Sequence, residues 1–354
     1  MRRENAADRQ EVLGLTVKEN GVKPWVVRHD TTIFLLLTFG ISWPLWLASG
    51  VLVHTSIRTP DLSWFVAQVG VFAPAFAGMV LGACIDPAGI RRAWRLLAFV
   101  CAPAVAFGLW IATRGFSSFM TVDAISTWGM IALAIWILTW FSARRNRLVL
   151  WRDGQADSVT TVLWSVGCVI VPTALFLTAW AMTNGTGTGG SSIQAMPVRE
   201  HTTLGVVAAF AVNLAYGGSL GEEPGWRGAW LPRLLQRHSP FAASLIISFW
   251  WALWHAPIDL SQGFGLSGIG ALAIRQIWTL PVAVLFTWVT LRAGGSLIPP
   301  LILHTAINSI PEFALGQPVR YQRALGTFFV FLLVVVIVAA LADSRLRGEP
   351  QRNK

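Results

Sequence analysis

Tyr216-Gly217-Gly218-Ser219-Leu220-Gly221-Glu222-Glu223-Pro224-Gly225-Trp226-Arg227-Gly228-Ala229-Trp230-Leu231-Pro232-Arg233-Leu234-Leu235-Gln236 is the stretch on which the reading of this chain turns. Two adjacent carboxylates and an arginine follow directly on an apolar run that begins near Thr203. A charged side chain near the centre of a membrane helix costs at least about 2.5–3.5 kcal/mol, so it persists where it meets a polar cavity or another charged group. The stretch therefore implies a bilayer helix whose charges line a site and do not face lipid.

The rest of the chain supplies the bilayer half of that statement. Its 354 residues are 54% hydrophobic and 12% charged, with a mean hydropathy of +0.58, too apolar for a soluble protein of this length. The 19 tryptophans agree, because indole is favoured where hydrocarbon meets headgroups. Apolar runs able to cross a ~30 Å core fall at Thr31–Val53, Trp64–Ile85, Leu96–Thr113, Ala124–Ser142, Thr160–Met182, Thr203–Gly221, Phe241–Leu260, Ala271–Leu291, Leu297–Phe313 and Ala324–Leu341. They are continuous and not alternating, which favours helices over a barrel. The expected fold is all-α, a polytopic transmembrane helix bundle of about 8–10 spans.

Charge sets the orientation. With the amino terminus inside, every one of the 27 lysines and arginines except Arg58, Arg114, Arg199, Arg275, Arg320 and Arg323 falls in an inner segment. Both termini are therefore expected to be cytoplasmic, in a multi-pass protein of the plasma membrane. The +10 net charge is then a topology signal, and no nucleic-acid partner is expected. Residues 1–30 hold no apolar core and read as a cytoplasmic tail, not a cleavable signal peptide. Residues 31–182 form front spans without buried acids, and 183–202 form a flexible Gly/Ser/Thr outer connection. A core over 203–343 and a short tail over 344–354 complete the expected organisation. Cys84, Cys101 and Cys168 make no CxxC, which argues against a disulfide or zinc-finger framework.

Polar groups cluster after residue 220. Of the 17 acids, Glu222, Glu223, Asp259 and Glu312 are assigned to the apolar runs or their edges, and so are His255, His304 and Asn308. Glu223 and Arg227 are four apart, hence on one face and able to pair. Glu222 points ~100° away and is left for another partner. His304 and Asn308 share a face in the same way, as do His255 and Asp259 unless Pro257 disturbs them. Asp259 reads as a solvated helix end. Counted along uniform α-helices from the turn at Arg237–Pro240, Glu222 and His255 lie at similar depth, ~24–26 Å. His304 lies ~15 Å beyond the Gly294-Gly295 turn by the same rise. Three separate stretches are thus expected to meet in one pocket, with Trp251 and Trp254 as possible walls.

At these residues the chain resembles the CPBP family, the CAAX proteases and bacteriocin-processing enzymes, also called the abortive-infection family. That family carries Glu-Glu-x-x-x-Arg, Phe-x-x-x-His and His-x-x-x-Asn/Asp on successive transmembrane helices. Here they read Glu222-Glu223-Pro224-Gly225-Trp226-Arg227, Trp251 to His255, and His304-Thr305-Ala306-Ile307-Asn308. The second departs, with Trp251 in place of Phe. The resemblance implies intramembrane hydrolysis of a peptide bond in a membrane-associated protein or peptide. Glu222 would activate water, His255 and His304 would position that water or ligate a metal, Asn308 would stabilise the oxyanion, and Glu223 with Arg227 would orient the site. Two mechanisms stay open. One uses Zn²⁺ held by Glu222, His255 and His304, as in catalytic zinc sites with an open position; the other is a metal-independent glutamate mechanism.

Other classes fit parts of the pattern. Gly265-Leu266-Ser267-Gly268 with His304 matches a rhomboid-type serine protease motif, although it lies in a connection placed outside. A proton-coupled transporter also buries Glu, His and Arg, but here no front-half counterpart mirrors them. A non-catalytic membrane immunity or binding protein on the same scaffold is the third alternative.

Overall fold

The structure, a computed structural model, describes residues 24–54, 60–85, 158–184, 210, 213–214, 218–260, 266–309 and 318–347. Every regular element among them is helical. In chain order these are α1 (Pro24–Arg28), α2 (Asp30–His54), α3 (Pro60–Val71), α4 (Ala73–Ile85) and α5 (Ser158–Asn184). Next come α6 (Ser219–Glu223), a π-helical segment (Pro224–Trp230), α7 (Leu231–Leu234), α8 (Pro240–Trp254) and α9 (Ala256–Leu260). The chain closes with α10 (Leu266–Arg292), α11 (Ile298–Ser309), α12 (Pro318–Ala342) and α13 (Ser344–Arg347). The expected runs at Leu96–Thr113 and Ala124–Ser142, most of Thr203–Gly221, Glu312, and nearly all of the Gly/Ser/Thr connection lie outside the described residues.

Among the described residues four helices are long and apolar enough to cross a membrane: Asp30–Gly50, Val159–Thr183, Ser267–Arg292 and Arg323–Ala342. Val66–Gly82 and Pro240–Trp254 are shorter apolar stretches. The run expected over Trp64–Ile85 breaks in two near Pro74, whose ring nitrogen has no hydrogen to donate. Val159, Val162, Leu163, Val166 and Ile170 of α5, and Val330, Val334, Ile337, Val338 and Leu341 of α12, are exposed. Such apolar faces suit a hydrocarbon solvent, where backbone polar groups are satisfied within each helix.

Because lipid is as apolar as leucine, helices in it associate through close packing and interhelical hydrogen bonds. Both are present. Trp43 Nε1 donates to the Trp254 carbonyl (3.0 Å), Trp254 Nε1 to Ser42 Oγ (2.7 Å), and Ser42 Oγ to the Gly70 carbonyl (2.8 Å). Trp46 Nε1 donates to the Ala67 carbonyl (2.8 Å). These bonds bind α2, α3 and α8 into one wall. Helix α8 runs antiparallel to α10, as Ser248 Oγ lies 3.3 Å from Thr279 Oγ1 and Asp259 pairs with Arg275 at 2.7 Å.

Two buried acids tie the helix ends at the other side. Asp30 accepts from Arg237 Nη1 (3.2 Å) and from the Thr31 N–H (2.6 Å). Asp343 accepts from Trp288 Nε1 (2.7 Å) and from Arg292 Nε. Both correct the expectation that only Glu222, Glu223, Asp259 and Glu312 lie within or at the edge of the apolar runs, since Asp30 and Asp343 are buried at run edges too. Asp30 sits one residue and Asp343 two residues outside an apolar run, where a count based on hydropathy assigns them to water. Asp259 is corrected likewise: it is buried against Arg275 and is not a solvated helix end.

Candidate active site

The glutamate pair is held by backbone contact. Gly218, at φ 103°, starts α6 in a conformation that side chains rarely adopt. A Cβ there would sit 2.5 Å from Glu222 Oε1, so the glycine leaves room for that carboxylate to fold back over it. Gly225 approaches α4 still more closely, because a Cβ on it would lie 2.2 Å from the Pro74 carbonyl oxygen. The glutamates are therefore fixed against α4 with little freedom to move.

Beyond Glu223 the helix widens. Leu231 N–H bonds back five residues to the Trp226 carbonyl, the signature of a π-turn. Pro224 opens the segment and Pro232 follows it, and each lacks an N–H, so part of the i→i−4 ladder is unavailable here. The widening carries Arg227. A depth count that assumes a uniform α-helix does not hold across these seven residues.

Adjacent in sequence, the two carboxylates meet different partners. Glu223 is fully buried and accepts from Arg227 Nη1 at 3.3 Å, and its same oxygen lies 2.8 Å from His304 Nδ1. The Arg227 guanidinium carbon sits 4.7 Å from the ring centroids of both Trp251 and Phe286, two cation–π contacts from neighbouring rings. Glu222 is also buried, and its Oε2 accepts from Trp251 Nε1 at 2.5 Å. His304 is held on α11, which is pinned to α6 by Ser219 Oγ and Thr305 Oγ1, 2.9 Å apart. Asn308 follows one turn later on α11 and is half-buried.

His255 ends α8 and joins the group through Trp251. Its Nδ1 lies 2.8 Å from the Trp251 carbonyl. Its ring is bounded by Trp254 at 4.8 Å, Trp46 at 6.1 Å and Trp251 at 6.2 Å. Trp46 belongs to α2, so the front spans contribute a wall where the sequence offered no site residue. Its only signal was a tryptophan within an apolar run, one among 19. Trp251 is the second residue that sequence reasoning undervalued, and its substitution for Phe was the available clue. Ser267 lies exposed in the first turn of α10, whereas His304 is buried against Glu223, so the serine-protease pattern is not assembled around that histidine.

Glu222, His255 and His304, the donor set expected for Zn²⁺, are not gathered into one group. Among the described residues no three His, Cys, Asp or Glu side chains form a group able to share a metal ion. Each of Glu222, His255 and His304 has one polar atom bonded to protein, Oε2 to Trp251 Nε1, Nδ1 to the Trp251 carbonyl and Nδ1 to Glu223 in turn.

Comparison with known proteins falls on this same region. The model of type II CAAX prenyl endopeptidases, Rce1-like, matches residues 203–310. CAAX prenyl protease 2 of Methanococcus maripaludis is 30% identical over 126 residues, 33% of this chain and 44% of the relative. The chain thus spans less than half the length of that curated relative. Residues 203–310, which carry the glutamate pair, both histidines and the asparagine on buried or half-buried helices, are thus the part of this chain that is similar to CAAX prenyl endopeptidases.

Proposed function

We propose that this site hydrolyses a peptide bond in a membrane-associated protein or peptide, with Glu222 as the base and no metal in the step. The observation that carries this reading is the unequal engagement of the two carboxylates. Glu223 is committed to Arg227 and His304, and Arg227 offsets its charge. Glu222 takes one indole N–H on Oε2 and directs Oε1 over Gly218. That second oxygen is the group proposed to receive a proton from water.

The water oxygen attacks the carbonyl carbon as its proton passes to Glu222 Oε1. The resulting oxyanion needs a fixed donor, a part assigned to the Asn308 amide. The C–N bond then breaks, and Glu222 returns the proton to the departing amine nitrogen. His304, anchored by Glu223, and His255, anchored by the Trp251 carbonyl, each keep Nε2 for the water or the substrate. The name of the Methanococcus maripaludis relative, CAAX prenyl protease 2, suggests substrates ending in a prenylated Cys-aliphatic-aliphatic-X tail.

Internally quenched peptides with and without a farnesyl thioether, offered to the full chain in lipid nanodiscs, test both points. Glu222→Gln is expected to lower kcat by about 10²–10⁴-fold with its fold retained. Unchanged cleavage by that variant would overturn the assignment of the base. Equal cleavage of both peptides would remove the prenyl requirement and leave the hydrolysis.

A further inference from the structure

One residue meets Glu222, Arg227, His255 and His304 together. Trp251 donates Nε1–H to Glu222 Oε2 at 2.5 Å, and its carbonyl lies 2.8 Å from His255 Nδ1. Its ring lies 4.7 Å from the Arg227 guanidinium carbon and meets the His304 ring edge-on at 5.8 Å. Trp251 is buried, on a helix anchored to α10 and to α2. Phenylalanine, which the family pattern has at this place, offers the same ring face but no N–H. It would leave Glu222 Oε2 without this donor.

The geometry points to Trp251 as a positioning residue, whose indole N–H fixes the Glu222 carboxylate so that Oε1 is the oxygen presented to water. Three physical reasons support it. A buried carboxylate with one engaged oxygen has a defined orientation, whereas one with none can rotate about its last torsion. A hydrogen bond to a charged acceptor is stronger than a neutral one and is further strengthened away from water. Moreover, the same residue orients His255. If Nδ1–H is the donor to the Trp251 carbonyl, the lone pair of that ring lies on Nε2. One residue thus sets the carboxylate and the imidazole from opposite ends of its own structure. The inference rests on the reading of Glu222 as the base.

The test uses the full chain in lipid nanodiscs, with wild type beside Trp251→Phe and beside a chain carrying 3-benzothienylalanine at 251. The latter keeps the bicyclic ring and removes the N–H. Both replacements are expected to lower kcat for the quenched peptide about tenfold or more while KM stays within about twofold. A loss confined to Trp251→Phe, with the benzothienyl chain as active as wild type, would show that ring size matters and the hydrogen bond does not. That would overturn the inference. A second readout is independent of turnover: the ¹⁵N-indole resonance that disappears in Trp251→Phe. Glu222→Ala is expected to move it upfield and speed its exchange with solvent deuterium. An unmoved resonance would overturn the inference even if every enzyme were active. Should no chain cleave any peptide, the catalytic reading fails, and the resonance still decides whether Trp251 holds Glu222.

Discussion

The bundle contains two kinds of buried ion pair, and they behave differently because of where their arginines end. At the helix ends, Asp30–Arg237, Asp259–Arg275 and Asp343–Arg292 each bury the acid while the arginine side chain keeps 35–43% of its surface exposed. Those guanidinium heads reach out of the packed interior, so much of their hydration survives. In the centre, Glu223 and Arg227 are both 0% exposed, and Arg227 lies against two neighbouring aromatic rings. Neither charge has a route to water. The end pairs are ties between helices that tolerate loss, whereas the central pair holds two charges that only protein groups can balance.

Removing one central partner should have the largest effect. Arg227→Ala leaves Glu223 as an uncompensated buried charge and should cost about 3–5 kcal/mol, read as a lowered thermal midpoint in detergent micelles. The double change Glu223→Gln with Arg227→Met should recover much of that loss, because it removes both charges. A double variant as unstable as the single one would dissolve the contrast between centre and rim.

A smaller effect is expected from the backbone contact that sets the pair in place. Gly225→Ala puts a methyl 2.2 Å from the Pro74 carbonyl, and overpacking of this kind costs typically about 1–3 kcal/mol. Its cleavage of the quenched peptide should fall as well, since the glutamates must shift with the backbone. Full activity together with full stability would show that α4 does not position them.

At the rim, Asp30→Asn should change stability by only about 0–1 kcal/mol, discounted because Arg237 is already 43% exposed. A loss as large as that of Arg227→Ala would erase the distinction. Smallest of all should be the response to a strong zinc chelator such as 1,10-phenanthroline, which is expected to leave cleavage unchanged. Inhibition reversed by added zinc would show instead that the central charges serve a metal.

Part of this arrangement could be read directly from the chain. Some continuous apolar runs gave their helices to within two residues at each end, as with Thr31–Val53 against α2 and Thr160–Met182 against α5, since helix formation in a bilayer depends on a local property, the satisfaction of each segment's own backbone. The four-residue spacing of Glu223 and Arg227 foretold their pairing for the same reason. His304 facing Glu223 and not Glu222 was not foreseeable, because one residue of helical rotation decides it and the π-helical segment lies alongside.

What the sequence determined by itself was the solvent, the helical class and the set of side chains too polar to be there without partners. Tertiary structure alone decided which partners they take: Trp251 N–H on Glu222, Trp46 from α2 beside His255, Asp30 beneath Arg237. Hydropathy and periodicity report on neighbours along the chain. These contacts join residues 29, 209 and 207 positions apart, and only the packing of whole helices brings them within hydrogen-bond or ring-contact distance.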